Sequence, residues 1–225
     1  MLKETSGPGP PKPQLSRELV LERALDLADH AGLESLTMRS LATALGVKPM
    51  SVYYYVANKS EILDGLVDRV FAEADSARSR QDDSWQRAMR DRAVTMRSVL
   101  GRHRWALGLI ESRTSPGPAT LRHHNETLGI LRRAGFSVEL ASRAYALLDS
   151  YIYGFVLQES TIPVGDAATV GEVAASMVRQ FESGQYPYLL EVATGVVMKP
   201  GYDFGSQFED GLDLVLHGLE SWLDS

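Results

Sequence analysis

The 225-residue sequence contains no cysteine. That absence removes disulfide frameworks, thiolate zinc sites, iron–sulfur clusters and cysteine nucleophiles together, so any metal would have to be held by His and carboxylates. It also fits a reducing compartment, and the cytoplasm is the expected location. Long apolar runs are missing as well: stretches such as 144–148 and 151–157 fall far short of the ~20 residues that cross a bilayer. No apolar segment near the N-terminus reads as a secretory signal. Sustained apolar–polar alternation, the mark of a half-buried strand, does not occur. Positive charge is in deficit too, and a net charge of −6 argues against a surface that coats nucleic acid indiscriminately.

What is present is 44% hydrophobic residues, enough for a sizeable core, and a strongly segregated charge pattern. Residues 1–60 are nearly neutral, with seven basic and six acidic side chains. Residues 84–133 carry ten basic groups, all arginine, against three acidic ones, whereas residues 134–225 carry three against thirteen. Phosphate would repel the acidic C-terminal stretch, so any contact with DNA must come from a small element near the N-terminus. The arginines of 84–133 are expected to pair with carboxylates of 61–83 and of the C-terminal stretch in a folded dimer.

Residues 1–14 hold Pro8, Pro10, Pro11 and Pro13 and read as a disordered arm. It is either a solvated tail or, less favoured, a minor-groove arm carrying Lys3 and Lys12. From Ser16 the periodicity is helical: Val20, Ala24, Leu27, Ala28 and Ala31 recur on one face, and Gly32 offers a stop. Thr37 caps a second helix with Met38, Leu41, Ala42 and Leu45 inward, and Gly46 ends it. Pro49 suits the first turn of a third helix over 49–56. Asn58 and Glu61 match a capping box ahead of an apolar stripe from Ile62 to Phe71. Further helices are expected over 85–101, 105–112, 118–134, 138–160, 170–183, 188–194 and 205–223. The expected fold is all-α, with about nine or ten helices in three segments: an arm (1–14), a small N-terminal helical head (15–75) and a larger helical body (76–225).

The second and third helices, joined through Gly46, form a helix-turn-helix candidate. Val52 and Val56 point into its core, leaving Tyr53, Tyr54 and Tyr55 to sweep the remaining faces. Phenol hydroxyls donate to phosphate and their rings pack on sugar or thymine methyl groups, with Arg39, Lys48 and Lys59 supplying charge around them. The runs 36–47 (LTMRSLATALGV), 51–56 (SVYYYV) and 58–63 (NKSEIL) resemble the DNA-binding domain of the tetracycline-repressor (TetR) family. The likeness extends through 84–85 (SW), 133–137 (RAGFS), 154–157 (GFVL), 208–214 (FEDGLDL) and 218–220 (GLE), which resemble the C-terminal domain of the tetracycline repressors themselves. The resemblance implies a bacterial, homodimeric transcriptional repressor released from operator DNA by a small molecule. It implies DNA contacts by Arg39, Ser51, Tyr53, Tyr55 and Lys59, with Lys48, Pro49, Met50 and Tyr54 on or beside the reading face. Pro49 stands where the tetracycline repressor presents a base-reading Gln, so the operator should differ.

The ligand residues carry over poorly. Tetracycline repressors hold a magnesium–drug chelate with a His on the helix before the Pro116 loop and a later carboxylate. Here residues 105–115 (WALGLIESRTS) lack His, and Gln158 beside Glu159 occupies the later position. The expectation is a dry, neutral pocket for an apolar or aromatic effector, with no metal and no cofactor. Its expected walls are Met96, Leu107, Ile110, Thr127, Tyr145, Leu148, Tyr151, Ile152, Phe155 and Gln158, each of which could equally be ordinary core. Leu212, Val215, Leu216, Leu219, Trp222 and Leu223 form a stripe expected to meet a second copy. A metal-dependent enzyme built on His103, His124 and Glu126 is the weaker alternative. No HExxH, GxSxG or phosphate-loop motif accompanies them, so no enzymatic activity is expected. Adjacent His123 and His124 diverge by about 100° on a helix, so only one should meet a given ligand.

Overall fold

Capping chemistry sets most helix starts. In the computed structural model, which describes residues 14–75, 84–162, 176, 178 and 184–223, the Ser16 hydroxyl accepts from Leu19 N at 3.2 Å and opens α1 (Arg17–Ser35). Gly32, at φ +74°, breaks the helical path where the stop was expected, but one further turn continues to Ser35. Thr37 and Ser40 cap each other reciprocally, at 2.9 and 3.0 Å, ahead of α2 (Met38–Leu45). Gly46, at φ +66°, ends α2 in the left-handed region that glycine enters without steric penalty. Helix α3 is Pro49–Val52 only, and Tyr53 to Tyr55 form a turn instead of continuing to residue 56. The valine and tyrosine run 52–56 has low helix propensity, and Asn58 restarts the chain as α4 (Lys59–Asp75) by accepting from Glu61 N at 3.0 Å. Glu61 reaches back one residue further than a standard box, to Ala57 N at 2.7 Å.

Ser84 caps α5 (Trp85–Arg102). Where a single helix over 105–112 was expected, a 3-10 turn (Arg104–Ala106) leads into the short α6 (Leu107–Ile110). Pro118 begins α7 (Pro118–Arg133), and Ser137 caps the long α8 (Val138–Thr161). Helix α9 (Pro187–Val192) runs into a π-helical turn (Ala193–Val197), and a 3-10 turn (Phe204–Ser206) precedes α10 (Gln207–Glu220). No strand occurs among the described residues. The helix expected over 170–183 and the arm at 1–13 lie outside the described residues.

Two apolar cores meet along α4. The first joins Val20, Leu21, Ala24 and Ala28 to Leu36, Leu41, Val52, Val56, Ile62 and Leu66. The second takes Val67, Val70, Phe71 and Ala74 from the same helix and buries them against α5, α7, α8 and α10. Trp105 touches both cores.

Helix α10 corrects one expectation. Leu212, Leu216 and Leu219 are buried in this chain's own core, and Val215, Trp222 and Leu223 pack against it. Residues at i, i+4 and i+7 share one face, and that face meets α5 and α8 of the same chain. Replacing Leu212 with Ala should lower the unfolding free energy by about 2–5 kcal/mol. Denaturant titrations at several protein concentrations should return the same loss; a loss confined to one concentration range would place Leu212 between subunits.

Candidate functional site

The turn after α2 brings most of the predicted DNA-contacting side chains to the surface together. Arg39, Lys48, Pro49, Met50, Tyr53, Tyr54 and Lys59 are all exposed, Met50 at 71% and Tyr54 at 86%. Ser51 is half-buried on α3, and Tyr55 turns inward to pack on the core formed with Val52 and Val56. The three tyrosines thus divide their labour: one braces, and two face solvent. Lys59 Nζ donates to Leu33 O at 3.2 Å, filling a carbonyl beside the break at Gly32. Among the described residues no carboxylate forms an ion pair with Arg39, Lys48 or Lys59. An anion can therefore approach these cations without displacing an internal carboxylate, and the phenols and Met50 offer apolar contact in between.

The predicted pocket walls separate into two groups. Met96, Leu148, Ile152 and Thr127 are buried where α5, α7 and α8 meet, with Leu107, Ile110 and Tyr145 packed at the edge. Tyr151 and Phe155 instead brace α10: the Tyr151 hydroxyl donates to Phe208 O at 2.7 Å, and Phe155 stacks on Phe204 with centroids 4.7 Å apart. Gln158 is exposed and stays outside this packing. Glu159, beside it, accepts from Arg97 Nε at 3.1 Å, and the Arg97 guanidinium lies 4.8 Å from the Phe208 ring centroid.

Beside these apolar walls the interior also carries polar and ionisable side chains. His123 Nδ1 lies 3.1 Å from Asp75 Oδ1, and Arg92 donates to Thr127 Oγ1 at 3.2 Å and to His123 O at 2.9 Å. His124 Nδ1 lies 2.7 Å from the Tyr145 hydroxyl, which interacts with Asp149 one turn along α8. Both adjacent histidines thus find inward partners, because α7 is flanked by α4 on one side and by α8 on the other. Burial, reinforced by the charge of Arg92 and by His124, pushes His123 down to about 3 and keeps it neutral. Burial pushes Asp149 up to about 6 despite its hydrogen bond with Tyr145. Burial and then the Asp149 charge also raise the Tyr145 and Tyr153 phenols, so both remain protonated donors. Tyr145, Asp149 and Tyr153 sit at i, i+4 and i+8, the one local signal that could have exposed this polar stripe.

The residues of the metal-enzyme alternative do not converge. His103 contacts Asp29 and Glu73, His124 contacts Tyr145, and Glu126 faces Arg133. No group of three potential ligands is arranged for a metal among the described residues. The arginines pair within one chain: Arg92 with Asp75, Arg102 with Glu73, Arg113 with Asp64, Arg97 with Glu159 and Arg90 with Asp213.

His123 gives the fold a signed pH response. Between its ordinary value of 6.5 and about 3, the unfolded chain binds a proton that the folded chain excludes, so stability falls as pH drops through that window. Asp149, raised from 3.8 to about 6, acts in the opposite sense below pH 6. His123→Asn removes the first effect alone. Its melting temperature should fall less between pH 6.5 and pH 4 than that of the parent protein; an equal fall would mean that His123 is charged when folded.

Comparison with known proteins matches the same two cores. Residues 20–66 fit the model for bacterial regulatory proteins of the tetR family, and residues 79–223 fit the tetracyclin repressor-like C-terminal domain. The HTH-type transcriptional repressor DrrR1 of Streptomyces coeruleorubidus is 31% identical, over 93% of this chain and 79% of that protein. The class C tetracycline repressor protein of Escherichia coli is 30% identical, over 92% and 91%. A possible TetR family regulator from Streptomyces coelicolor A3(2) superposes with a TM-score of 0.76 at 31% identity, covering 92% of this chain and 99% of that one. The Streptomyces coelicolor TetR family protein ActR, solved in complex with actinorhodin, superposes with a TM-score of 0.77 at 25% identity, covering 94% and 100%. No helix among the described residues is long and apolar enough to cross a membrane. The chain belongs to the TetR family of bacterial transcriptional regulators.

Proposed function

We propose that this protein is a homodimeric repressor that binds operator DNA through residues 15–75 and is released by a small effector held in residues 76–225. The observation that carries the reading is the exposed set Arg39, Lys48, Met50, Tyr53, Tyr54 and Lys59, cations and phenols together on and around a short helix. One such helix makes too few contacts for selectivity, and a two-fold dimer doubles them across half-sites about 34–36 Å apart. The effector lies among Met96, Leu107, Ile110, Thr127, Tyr145, Leu148 and Ile152. The polar stripe there favours an aromatic molecule bearing several hydrogen-bonding groups over a purely apolar one. ActR, a structural relative solved in complex with actinorhodin, supports a small-molecule effector for this fold.

The reading is tested by selection from a pool of random duplexes. The purified protein should enrich a two-fold symmetric site, and its affinity should fall with salt at a log–log slope of roughly −0.9 per phosphate neutralised. Lys48→Ala should reduce that slope by about one phosphate's worth and weaken every sequence alike. No enrichment at low salt would sink the function.

With Leu212, Leu216 and Leu219 occupied internally, the face offered to a second copy is a different one. On α8, Leu147 and Leu157 are exposed around Ser150 and Gly154; on α10, Leu214 is 76% exposed near Gly218. A Cβ added at Gly154 or Gly218 would meet nothing within 4 Å, so a partner helix has room to approach closely. Leu157→Arg with Leu214→Arg should yield a folded monomer in sedimentation experiments, together with loss of binding to the two-fold site. A dimer that persists would move the interface elsewhere.

A further inference from the structure

His103 is only 6% exposed at the end of α5, and neither DNA contact nor the effector region uses it. Its ring nitrogens face carboxylates on two different helices. Nδ1 lies 2.8 Å from Asp29 Oδ1 on α1, and Nε2 lies 2.9 Å from Glu73 Oε2 on α4. The same Asp29 oxygen accepts from Trp105 Nε1 at 2.6 Å, and Glu73 also accepts from Arg102 Nε at 3.1 Å. Asp29 belongs to the first helix of the reading head, whereas His103, Arg102 and Trp105 belong to the body. A carboxylate only accepts, so the ring can satisfy both contacts at once only as the imidazolium, with both nitrogens donating.

Burial, the largest influence on Glu73, pushes it up, yet hydrogen bonds from His103 and Arg102 and the charges behind them hold it below its ordinary value. Of the adjoining side chains, Arg104 is exposed on the 3-10 turn and His30 is exposed on α1, with Nδ1 2.7 Å from Asp26 O.

We propose that His103 is a positioning residue for DNA binding: its imidazolium ties α1 to α4 and to the body, and loss of the proton frees the head without unfolding either part. The proposal rests on the operator-binding function given above. A neutral ring keeps one donor and turns a lone pair toward the second carboxylate, so one bridge opens. Two heads that must span fixed half-sites bind tightly only when their orientation is already set, because any freedom they hold is lost on binding.

Hydrogen–deuterium exchange and duplex binding on the full-length protein separate the possibilities. At pH 6.0, His103→Gln should speed exchange in residues 17–35 while α5, α7 and α8 stay as protected as before. The parent protein should show the same change on passing from pH 6.0 to 8.5, once intrinsic exchange rates are divided out. Its affinity for the duplex it selects should fall on the order of tenfold over that interval, within the usual range for coupled sites. His103→Gln should bind weakly with little pH dependence. His103→Lys, a cation able to donate to both carboxylates, should restore slow exchange and remove the pH dependence. Unchanged exchange in His103→Gln overturns the proposal, as does faster exchange spread through the body, which would mark a merely structural residue. Parallel affinity profiles for parent and His103→Gln overturn it too. If the parent selects no duplex, the operator-binding function falls, while the exchange pattern still decides whether the strap exists.

Discussion

A single helix closes two hydrophobic cores, and most of what the molecule can do follows from that sharing. Ile62 and Leu66 of α4 seal the reading head, and one turn later Val67, Val70 and Phe71 are buried in the body. A helix transmits rotation and translation as a rigid element, so neither core can rearrange along α4 without moving the other's wall. Polar contacts reinforce the sharing. Asp68 on α4 accepts from Thr120 N at 2.8 Å and from Thr120 Oγ1 at 3.1 Å, satisfying the first turn of α7. Gly117 precedes that turn because a Cβ there would collide with the Asp68 carboxyl. Arg113, on the loop before α7, donates to Asp64 Oδ1 at 2.6 Å. The N-terminal end of α7 is therefore bolted to the helix that carries the head.

Charge is arranged to the same end. Five of the ten arginines of 84–133 pair with carboxylates of α4, α8 and α10 within the chain: Arg90, Arg92, Arg97, Arg102 and Arg113. Exposed pairs of this kind contribute little to stability, but partly buried ones fix which helices lie together. The reading head keeps Arg39 and Lys48 outside that network. A net charge of −6 thus coexists with a locally cationic face, and the acidic body disfavours DNA contacts other than those of the head.

Much of the helical scaffold was legible because its signals are local. Ser16, Thr37, Ser84 and Ser137 each cap through hydrogen bonds spanning three residues, and Gly46 ends α2 at the left-handed dihedral its position demanded. The exposure of Met50, Tyr53 and Tyr54 was also readable, since Val52 and Val56 fix which face of a short segment is inward. Length was less so: α3 stops at Val52, where the valine and tyrosine run 52–56 has low helix propensity. The direction of α10 was not readable at all. An apolar stripe states that a face is buried and is silent on whether its cover is the same chain or another.

The polar interior escaped for a related reason. Asp75, Arg92, His123 and Asp149 are scattered over 75 positions, and each taken alone reads as a solvated charge or a satisfied histidine. Only the packing of α7 between α4 and α8 makes them one system, and once assembled they restrain one another. His123 must stay neutral beside Arg92, while Tyr145 keeps its proton beside Asp149 with its hydroxyl 2.7 Å from His124 Nδ1. A molecule entering among Met96, Thr127 and Leu148 would have to exchange hydrogen bonds with this array as well as displace apolar contacts. Because the array hangs on α7 and α7 is anchored to α4 by Asp68, any such exchange is mechanically adjacent to the reading head. Under the proposed function, specificity for the effector and leverage on the DNA-binding helices would therefore draw on the same buried hydrogen bonds, tying the chemistry of the pocket to the geometry of the heads.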